Sequence, residues 1–297
     1  MKKIAVGLVA VFGLVFLQPV HAEEKPTVVI IDTAIDSTRA EFKNKIVYEA
    51  CFVENGTCAN GRSVSEGLGS ATLPVSQAYS KGFEHGTIMT LIALSVNPNM
   101  NIIFIRVAGT SRSGNMGLFS DVAITNALNW VILNKTKFNI VSVSSSVGNH
   151  SLNSGIDYCP IKPKHKTLVD NINKLILLGV PTIFAAGNGR DLSRVDFPAC
   201  IPNAVAVGGT TEENTISPFF NAGPTVDFYA LGYFDNLVTS PKKVIGTSAS
   251  AVAFSAYWAK NYKGTYKTTY DYLKSIAKAS IEVNSGLTTN SFVDILK

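Results

Sequence analysis

Six short runs of Val, Ile, Ala and Phe recur along the chain, with the apolar residues at consecutive rather than alternate positions. They lie at 27–31, 101–107, 139–143, 180–186, 204–208 and 226–230. Consecutive apolar residues are typical of strands buried on both faces, as in a parallel sheet. Between the runs, apolar residues recur at helical spacing over 87–95, 120–135, 168–178, 248–262 and 268–279. The alternation predicts an α/β fold with helices covering a mainly parallel sheet.

The first 22 residues have a different pattern. Lys2 and Lys3 precede an uncharged apolar run from Ile4 to Leu17, and Val20 and Ala22 supply small residues two apart. This is the layout of a cleavable secretory signal, and the run is shorter than the roughly 20 residues of a membrane span. We therefore expect a signal peptide at 1–22, one domain at 23–297, a secreted or periplasmic location and no membrane attachment after cleavage.

Charge and composition exclude several classes of protein. The 297 residues carry 26 Lys and Arg against 21 Asp and Glu; without Lys2 and Lys3 the basic residues number 24 and the net charge is +3. This mild, unclustered charge argues against a nucleic-acid partner. A hydrophobic fraction of 46% excludes disorder. No Gly-x-Gly-x-x-Gly or Walker-type loop follows a strand, which argues against nucleotide binding.

Four cysteines lie after the predicted signal. An even number in an exported chain favours disulfides. Cys51 and Cys58 flank the turn signal Asn55-Gly56, so we pair them, which leaves Cys159 to pair with Cys200. The competing interpretation is a zinc site, which the absence of a Cys-x-x-Cys sequence disfavours.

Polar residues end three of the predicted strands. Asp32 ends the first, Ser144 to Ser146 end the third, and Gly187-Asn188 end the fourth. Since the carboxyl ends of parallel strands meet at one edge of the sheet, we expect these residues to lie near one another.

Serine acyl transfer needs a hydroxyl, an imidazole base, a carboxylate that orients the imidazole, and donors for the oxyanion. Ser248, His85 and Asp32 supply the hydroxyl, the imidazole and the carboxylate, respectively. Taken singly, Asp32 is also typical of a turn, and Ser248 is also typical of a helix N-cap. Ser250 competes with Ser248 for the role of N-cap or nucleophile. The Asn188 amide and the Ser248 backbone N–H are the candidate oxyanion donors. We expect the remaining histidines, His150 and His165, to be solvated loop residues.

At four places the sequence resembles the subtilisin-like serine peptidases, the subtilases. The matching segments are Val28–Ala34 (VVIIDTA), His85–Thr87 (HGT), Phe184–Asn188 (FAAGN) and Gly246–Ser250 (GTSAS). The order Asp, His, Ser also agrees. The resemblance implies a three-layer α/β sandwich around a parallel, roughly seven-stranded sheet. It implies a secreted serine endopeptidase that works through an acyl-enzyme, with Asp32, His85 and Ser248 as the triad.

The same resemblance implies where a polypeptide substrate binds, as an added strand between two edge segments. One edge is Gly114, Asn115 and Met116, and the other is Ser146, Val147 and Gly148. Ala186 and Gly187 would form the floor of the pocket for the primary specificity side chain. Four charged residues follow this floor: Arg190, Asp191, Arg194 and Asp196. They either impose charge selectivity or form a solvated, salt-bridged loop.

The sequence also departs from the family pattern. Ser250 stands where the family usually has Ala, which adds a hydroxyl that needs a partner if buried. Residues 23–31 alone separate the predicted signal from Asp32, without a pro-region, so folding is unaided or uses a separate inhibitor or chaperone. The loop at 95–99 has no carboxylate, so we expect no high-affinity calcium site there. We expect no cofactor, and the sequence does not support a structural calcium ion elsewhere. These departures motivate the alternative of a catalytically silent subtilase-fold binding protein.

Overall fold

The computed structural model describes residues 25–80, 82–148, 159, 161–238, 243–278 and 292–294. Among them, eight strands form one sheet: β1 (Thr27–Asp32), β2 (Ile46–Phe52), β3 (Val64–Glu66), β4 (Asn101–Arg106), β5 (Ile140–Ser145), β6 (Thr182–Ala185), β7 (Val205–Thr210) and β8 (Phe228–Leu231). A separate hairpin pairs β9 (Tyr233–Asp235) with β10 (Lys243–Ile245).

The strand order in the sheet is β3-β2-β4-β1-β5-β6-β7-β8. Seven of these strands run parallel, and β3 alone pairs antiparallel, with β2. The predicted α/β fold with a mainly parallel sheet is confirmed. β2 was not among the predicted strands, because Tyr48 and Glu49 interrupt its apolar run. Glu49 is nevertheless buried, and its Oε2 accepts hydrogen bonds from Ala71 N (3.0 Å) and Thr72 Oγ1 (3.1 Å).

The described part of the chain also contains six α-helices, in chain order: α1 (Val75–Ala78), α2 (Glu84–Val96), α3 (Asp121–Asn134), α4 (Lys166–Leu177), α5 (Thr247–Lys260) and α6 (Tyr266–Ile276). Each of the five predicted helices is present. In β1, Val29 and Ile31 face a core formed with α3 and α4, while Val28 and Ile30 face a second core formed with α2, α5 and α6. Alternate residues of a strand point to opposite faces, so both faces of the sheet are covered.

The two helix layers differ in how deeply they are buried. Every residue of α5 from Ala249 to Ala259 is buried, which accounts for the lack of charge before Lys260. In α4, by contrast, only one side of the helix is buried. The buried helix α5 packs against α2 and against strands β1 and β5 to β8, so its first residues are held from several directions.

Both predicted disulfides are present. Cys51, in β2, bonds to Cys58 with a Cα–Cα distance of 6.0 Å. Cys159 bonds to Cys200 with a Cα–Cα distance of 5.5 Å.

The prediction for His165 was wrong, and His150 lies outside the described residues. The His165 side chain is fully buried, and its ring lies 4.6 Å from the Phe197 ring. Its Nδ1 accepts a hydrogen bond from Lys162 N (3.0 Å), and its Nε2 lies 3.1 Å from Asp121 Oδ2, although poorly aligned for a hydrogen bond. These contacts join separate segments of the chain, so the local polar sequence gave no sign of them.

The described ranges contain neither a membrane-spanning helix nor a cluster of potential metal ligands. No helix there combines the length and the apolar character needed to cross a bilayer. Nor do three or more His, Cys, Asp or Glu side chains in that part of the chain converge on a point where a metal ion would bind.

Candidate active site

Asp32 and His85 are brought into direct contact. Asp32 is the last residue of β1 and is 2% exposed, while His85 lies in the first turn of α2. The His85 Nδ1 atom lies 2.7 Å from Asp32 Oδ1, which also accepts a hydrogen bond from Thr33 N (2.7 Å). With Nδ1 donating to the carboxylate, the neutral imidazole has its lone pair on Nε2. The side chain of His85 is 37% exposed, so the ring reaches the surface while its partner is buried.

Thr33 and Gly86 hold the start of α2 against the end of β1. The Thr33 hydroxyl donates to Phe83 O (2.9 Å) and accepts from Gly86 N (3.0 Å). A Cβ on Gly86 would lie 2.4 Å from Ala34 O, so only glycine permits this close approach. The His85 backbone is therefore fixed on both sides by contacts with the segment that carries Asp32.

The electrostatics of the pair favour a protonated imidazole. Burial lowers the pKa of His85, but the charge of Asp32, its hydrogen bond and the nearby Glu84 outweigh burial and raise that pKa above its ordinary value. An opposite charge in hydrogen-bond contact stabilises the charged form in this way. The pair can therefore take up a proton and stabilise the resulting cation.

Ser248 and Ser250 differ in accessibility. Both lie in the first turn of α5, but Ser248 is partly exposed and Ser250 is fully buried. The Ser250 hydroxyl packs where side chains on Gly209 and Gly232 would otherwise lie, and it has no hydrogen-bond partner among the described residues. The described residues therefore do not supply the hydrogen-bond partner that we expected for a buried Ser250 hydroxyl. A buried side chain cannot reach a substrate, which leaves Ser248 as the candidate nucleophile.

Thr247 fixes the orientation of the Asn188 amide. Asn188 Oδ1 accepts hydrogen bonds from Thr247 N (3.0 Å) and Thr247 Oγ1 (3.1 Å), and Thr247 Oγ1 in turn accepts from Gly187 N (3.1 Å). Since Oδ1 is engaged by two donors, Nδ2 points away from Thr247. Both Asn188 Nδ2 and Ser248 N lie within 4 Å of the point that a Cβ on Gly246 would occupy. Two donors thus flank one small space beside Ser248.

A cavity of about 370 Å³ opens next to His85. Three of the predicted substrate-binding residues, Met116, Ser146 and Val147, line it together with Asp32 and His85. Ile88 and Phe119 add apolar surface to the same cavity. The structure therefore places an apolar depression directly beside the imidazole.

The other predicted substrate-binding residues lie outside this cavity. Gly114 and Asn115 form a tight turn in which Gly114 N donates to Ser111 O (2.9 Å). Ala186 has no exposed surface, and its carbonyl accepts from Asp196 N (2.8 Å), so its side chain is not at the surface where a substrate would bind. Gly148 is exposed and Gly187 is buried.

Sequence reasoning did not single out Thr33, Thr247 or Asn221, which position the site through long-range hydrogen bonds. Asn221 Oδ1 accepts from Gly189 N (2.8 Å) and Asp191 N (3.1 Å). Thr33 and Thr247 did lie within matched motifs, but Asn221 stands between Phe219-Phe220 and Ala222-Gly223, outside any motif.

Comparison with known proteins agrees with this architecture. A subtilisin-like protease 2 of Trichophyton tonsurans is 27% identical over 207 residues, which cover 68% of this chain and 40% of that protein. A cuticle-degrading serine protease of Arthrobotrys oligospora is 25% identical over 236 residues, which cover 76% of this chain and 48% of that protein. The chain thus matches less than half the length of these relatives.

Solved structures share the fold at lower identity. A cold-adapted subtilisin-like serine proteinase superposes with a TM-score of 0.64 at 23% identity, covering 92% of this chain and 89% of the other. Proteases from Pseudoalteromonas arctica superpose with a TM-score of 0.67 at 18% identity, covering 91% and 87%. The model of the subtilase family matches residues 23–284. This chain belongs to the subtilase family.

Proposed function

We propose that this protein is a secreted serine endopeptidase with Asp32, His85 and Ser248 as its catalytic triad. The observation that carries the proposal is the 2.7 Å contact between His85 Nδ1 and the buried Asp32 carboxylate. A carboxylate in this position holds the imidazole in one tautomer and stabilises the imidazolium that forms during acyl transfer. Family membership and the partial exposure of Ser248 support the assignment.

In the proposed mechanism, Ser248 Oγ attacks the carbonyl carbon of the peptide bond while His85 Nε2 takes its proton. Asn188 Nδ2 and Ser248 N donate to the oxyanion, and donors placed in advance in this way contribute several kcal/mol of transition-state stabilisation. His85 then gives its proton to the departing amine, which leaves an acyl-enzyme on Ser248. Water, deprotonated by His85, attacks the acyl carbon and releases the second product. Protein side chains, backbone donors and water perform every step.

The substrates in this proposal are polypeptides that bind as an added strand between 114–116 and 146–148. The proposed secretion of the protein rests on residues 1–22, which we propose to be a cleaved signal peptide. One peptidase domain at 23–297 would follow it. We propose further that no metal or other cofactor takes part, and that a separate inhibitor or chaperone assists folding if the domain does not fold unaided.

Fluorophosphonate labelling of the purified full chain tests the nucleophile. We expect covalent labelling of the wild type on Ser248, found by peptide mass mapping, together with cleavage of denatured casein. Ser248→Ala should abolish both while unfolding at the same temperature as the wild type. The matched control Ser250→Ala, two residues along the same helix, should keep both. Well-folded wild-type protein that neither labels nor cleaves would contradict the proposal and favour a catalytically silent binding protein.

A further inference from the structure

Residues 51–58, which the Cys51–Cys58 disulfide closes into a loop, pack against the segment that carries one predicted edge of the substrate cleft. In this disulfide loop, Thr57 N donates to Thr110 O (3.0 Å) and Thr57 O accepts from Thr110 N (2.9 Å). On its other side, Thr110 forms an antiparallel bridge with Met116. Three short segments therefore lie side by side, from the disulfide loop to the predicted edge.

The predicted edge belongs to a small hairpin formed by residues 109–117, the edge hairpin. Ser111 N donates to Asn115 O (2.8 Å), and Gly117 N donates to Gly109 O (2.8 Å). The backbone groups of the residue between these two pairs point the opposite way, as expected for an extended chain, and they are the groups that bind the disulfide loop. The loop is thus attached to the edge hairpin as a further strand.

Three glycines allow the disulfide loop and the edge hairpin to touch through their backbones. A Cβ on Gly109 would lie 2.1 Å from Asn55 O, and a Cβ on Gly117 would lie 2.4 Å from the same atom. On the loop side, a Cβ on Gly56 would lie 2.7 Å from Thr110 O. Contacts this close leave no room for a side chain, so the two backbones fit directly against each other and a shift of one displaces the other.

The disulfide fixes the loop to the sheet at a place apart from the two main cores. Cys51 lies in β2 beside Arg106 of β4, and Cys58 is 3% exposed. Together with Val53, the two cysteines form a separate apolar cluster of only three buried residues. So small a cluster contributes little by burial. If the disulfide is broken, we therefore expect local loosening of the loop and not unfolding of the sheet.

We propose that the disulfide loop positions the edge hairpin for substrate binding, so that loss of the Cys51–Cys58 disulfide weakens cleavage of extended polypeptides and leaves the triad intact. This inference rests on the proposed peptidase function. A polypeptide that binds as an added strand gains affinity from main-chain hydrogen bonds, which require the edge backbone at a fixed place. Met116 also lines the cavity beside His85, so a displaced hairpin changes a wall of that cavity. The two cysteines are positioning residues, because they act through the hairpin.

The catalytic pair is held by a different set of contacts. Asp32 and His85 touch directly, and Thr33 and Gly86 tie their backbones together. None of these hydrogen bonds involves a residue of the disulfide loop. Loss of the disulfide should therefore affect the binding of long substrates and spare the reactivity of Ser248.

The double variant Cys51→Ser with Cys58→Ser, prepared in the full chain, tests the proposal. We expect kcat/KM on denatured casein to fall by at least about tenfold, mainly through a higher KM, because small displacements of a positioning element have effects of this size. Inactivation by diisopropyl fluorophosphate, which reacts with Ser248 and is too small to bind along the edge, should keep nearly the wild-type rate. Casein cleavage equal to that of the wild type, or an equal loss in both reactions, would overturn the proposal.

Gly117→Ala tests the same contact with both disulfides in place, and it replaces the double variant if that protein does not fold. The added Cβ would press against Asn55 O, so we expect the same selective loss on casein at a nearly unchanged rate of inactivation. Wild-type casein cleavage by folded Gly117→Ala would count against the proposal as strongly.

Hydrogen–deuterium exchange tests the positioning without any activity. The amides of Thr110 and Gly117 should exchange faster in the first double variant, whereas those of α2 should not change. Cys159→Ser with Cys200→Ser, which removes the other disulfide, is the matched control and should leave exchange at 109–117 as in the wild type. Unchanged exchange at 109–117 in the first double variant would refute the proposal.

The two readouts separate this proposal from the peptidase function. A well-folded wild-type chain that neither cleaves casein nor reacts with diisopropyl fluorophosphate would overturn the peptidase function. The exchange measurement would then decide alone whether the disulfide loop holds the edge hairpin.

Discussion

Two buried carboxylates lie at the same edge of the sheet, and they contact different partners. Asp32 is 2% exposed and contacts the imidazole of His85, whereas Asp196 is 6% exposed and accepts a hydrogen bond from the Asn221 amide. Burial strengthens the electrostatic effect of each. In our proposal, Asp32 acts on the reaction, whereas Asp196 belongs to the hydrogen-bond network around Asn221.

The supporting contacts differ in the same way. Asp32 is held through its neighbour Thr33, whose hydroxyl also ties β1 to α2, so the carboxylate and the imidazole are positioned by one set of contacts. Asp196 is held by the side chain of Asn221, whose hydrogen bonds among the described residues involve none of Asp32, Thr33 and Gly86. The comparison teaches that these two sets of contacts can be broken one at a time.

Asp32→Asn should have the largest effect. The amide keeps the shape of the side chain but no longer stabilises the imidazolium or enforces the correct tautomer, so we expect kcat to fall by about 10⁴-fold. Steady-state kinetics on denatured casein measures this, and a kcat close to that of the wild type would contradict the role of Asp32.

Asn221→Ala should reduce stability rather than chemistry. It leaves Asp196 Oδ1, Ala186 O and two backbone N–H groups without this partner, which should lower the free energy of unfolding by about 2–4 kcal/mol. Urea denaturation measures the loss. Asn126→Ala, on the exposed side of α3, is the matched control and should change stability by less than about 0.5 kcal/mol. Equal effects of the two substitutions would contradict the role of Asn221.

The pH dependence of kcat/KM should show the smallest of these effects, and it should distinguish Asp32→Asn from Asp196→Asn. His85 must be neutral to act as a base, so activity falls as the pH drops through its pKa. Because that pKa is raised above the ordinary 6.5, the midpoint of the acid limb should lie above pH 6.5. Asp32→Asn should move the midpoint of its residual activity to lower pH, and Asp196→Asn should leave it nearly in place. A larger shift in Asp196→Asn than in Asp32→Asn would reverse the comparison.

Much of the fold was predictable because buried parallel strands have a simple signature. Consecutive Val and Ile residues marked β1 and β4, and helical spacing marked α3 and α5. β2 was not predicted, because a glutamate such as Glu49 is usually exposed. The structure shows that Glu49 is buried and that it accepts hydrogen bonds from Ala71 and Thr72. Polarity in a sequence does not distinguish a solvated group from one satisfied by distant backbone.

The contact between Asp32 and His85 was predictable because each residue lies in a matched motif, whereas contacts between residues outside any motif were not. The segments of Asp32 and His85 could be matched from short patterns, and the structure brings them together. The bond between Asn221 and Asp196 spans 25 residues of sequence, and no spacing rule anticipates it. The same holds for His165, whose burial depends on Phe197 and Asp121.

The outer strands of the sheet have a consequence for self-association. One edge of the sheet is β3, a strand of only three residues. At the other edge, Phe292 bridges to Tyr229 in β8, and Val293 N donates to Tyr229 O (2.9 Å). Exposed strand edges are the usual starting points for aggregation between protein copies. A three-residue edge strand and a partly bridged one leave few backbone groups open to pairing, so a copy of the protein resists joining another through its sheet even in a medium rich in unfolded chains.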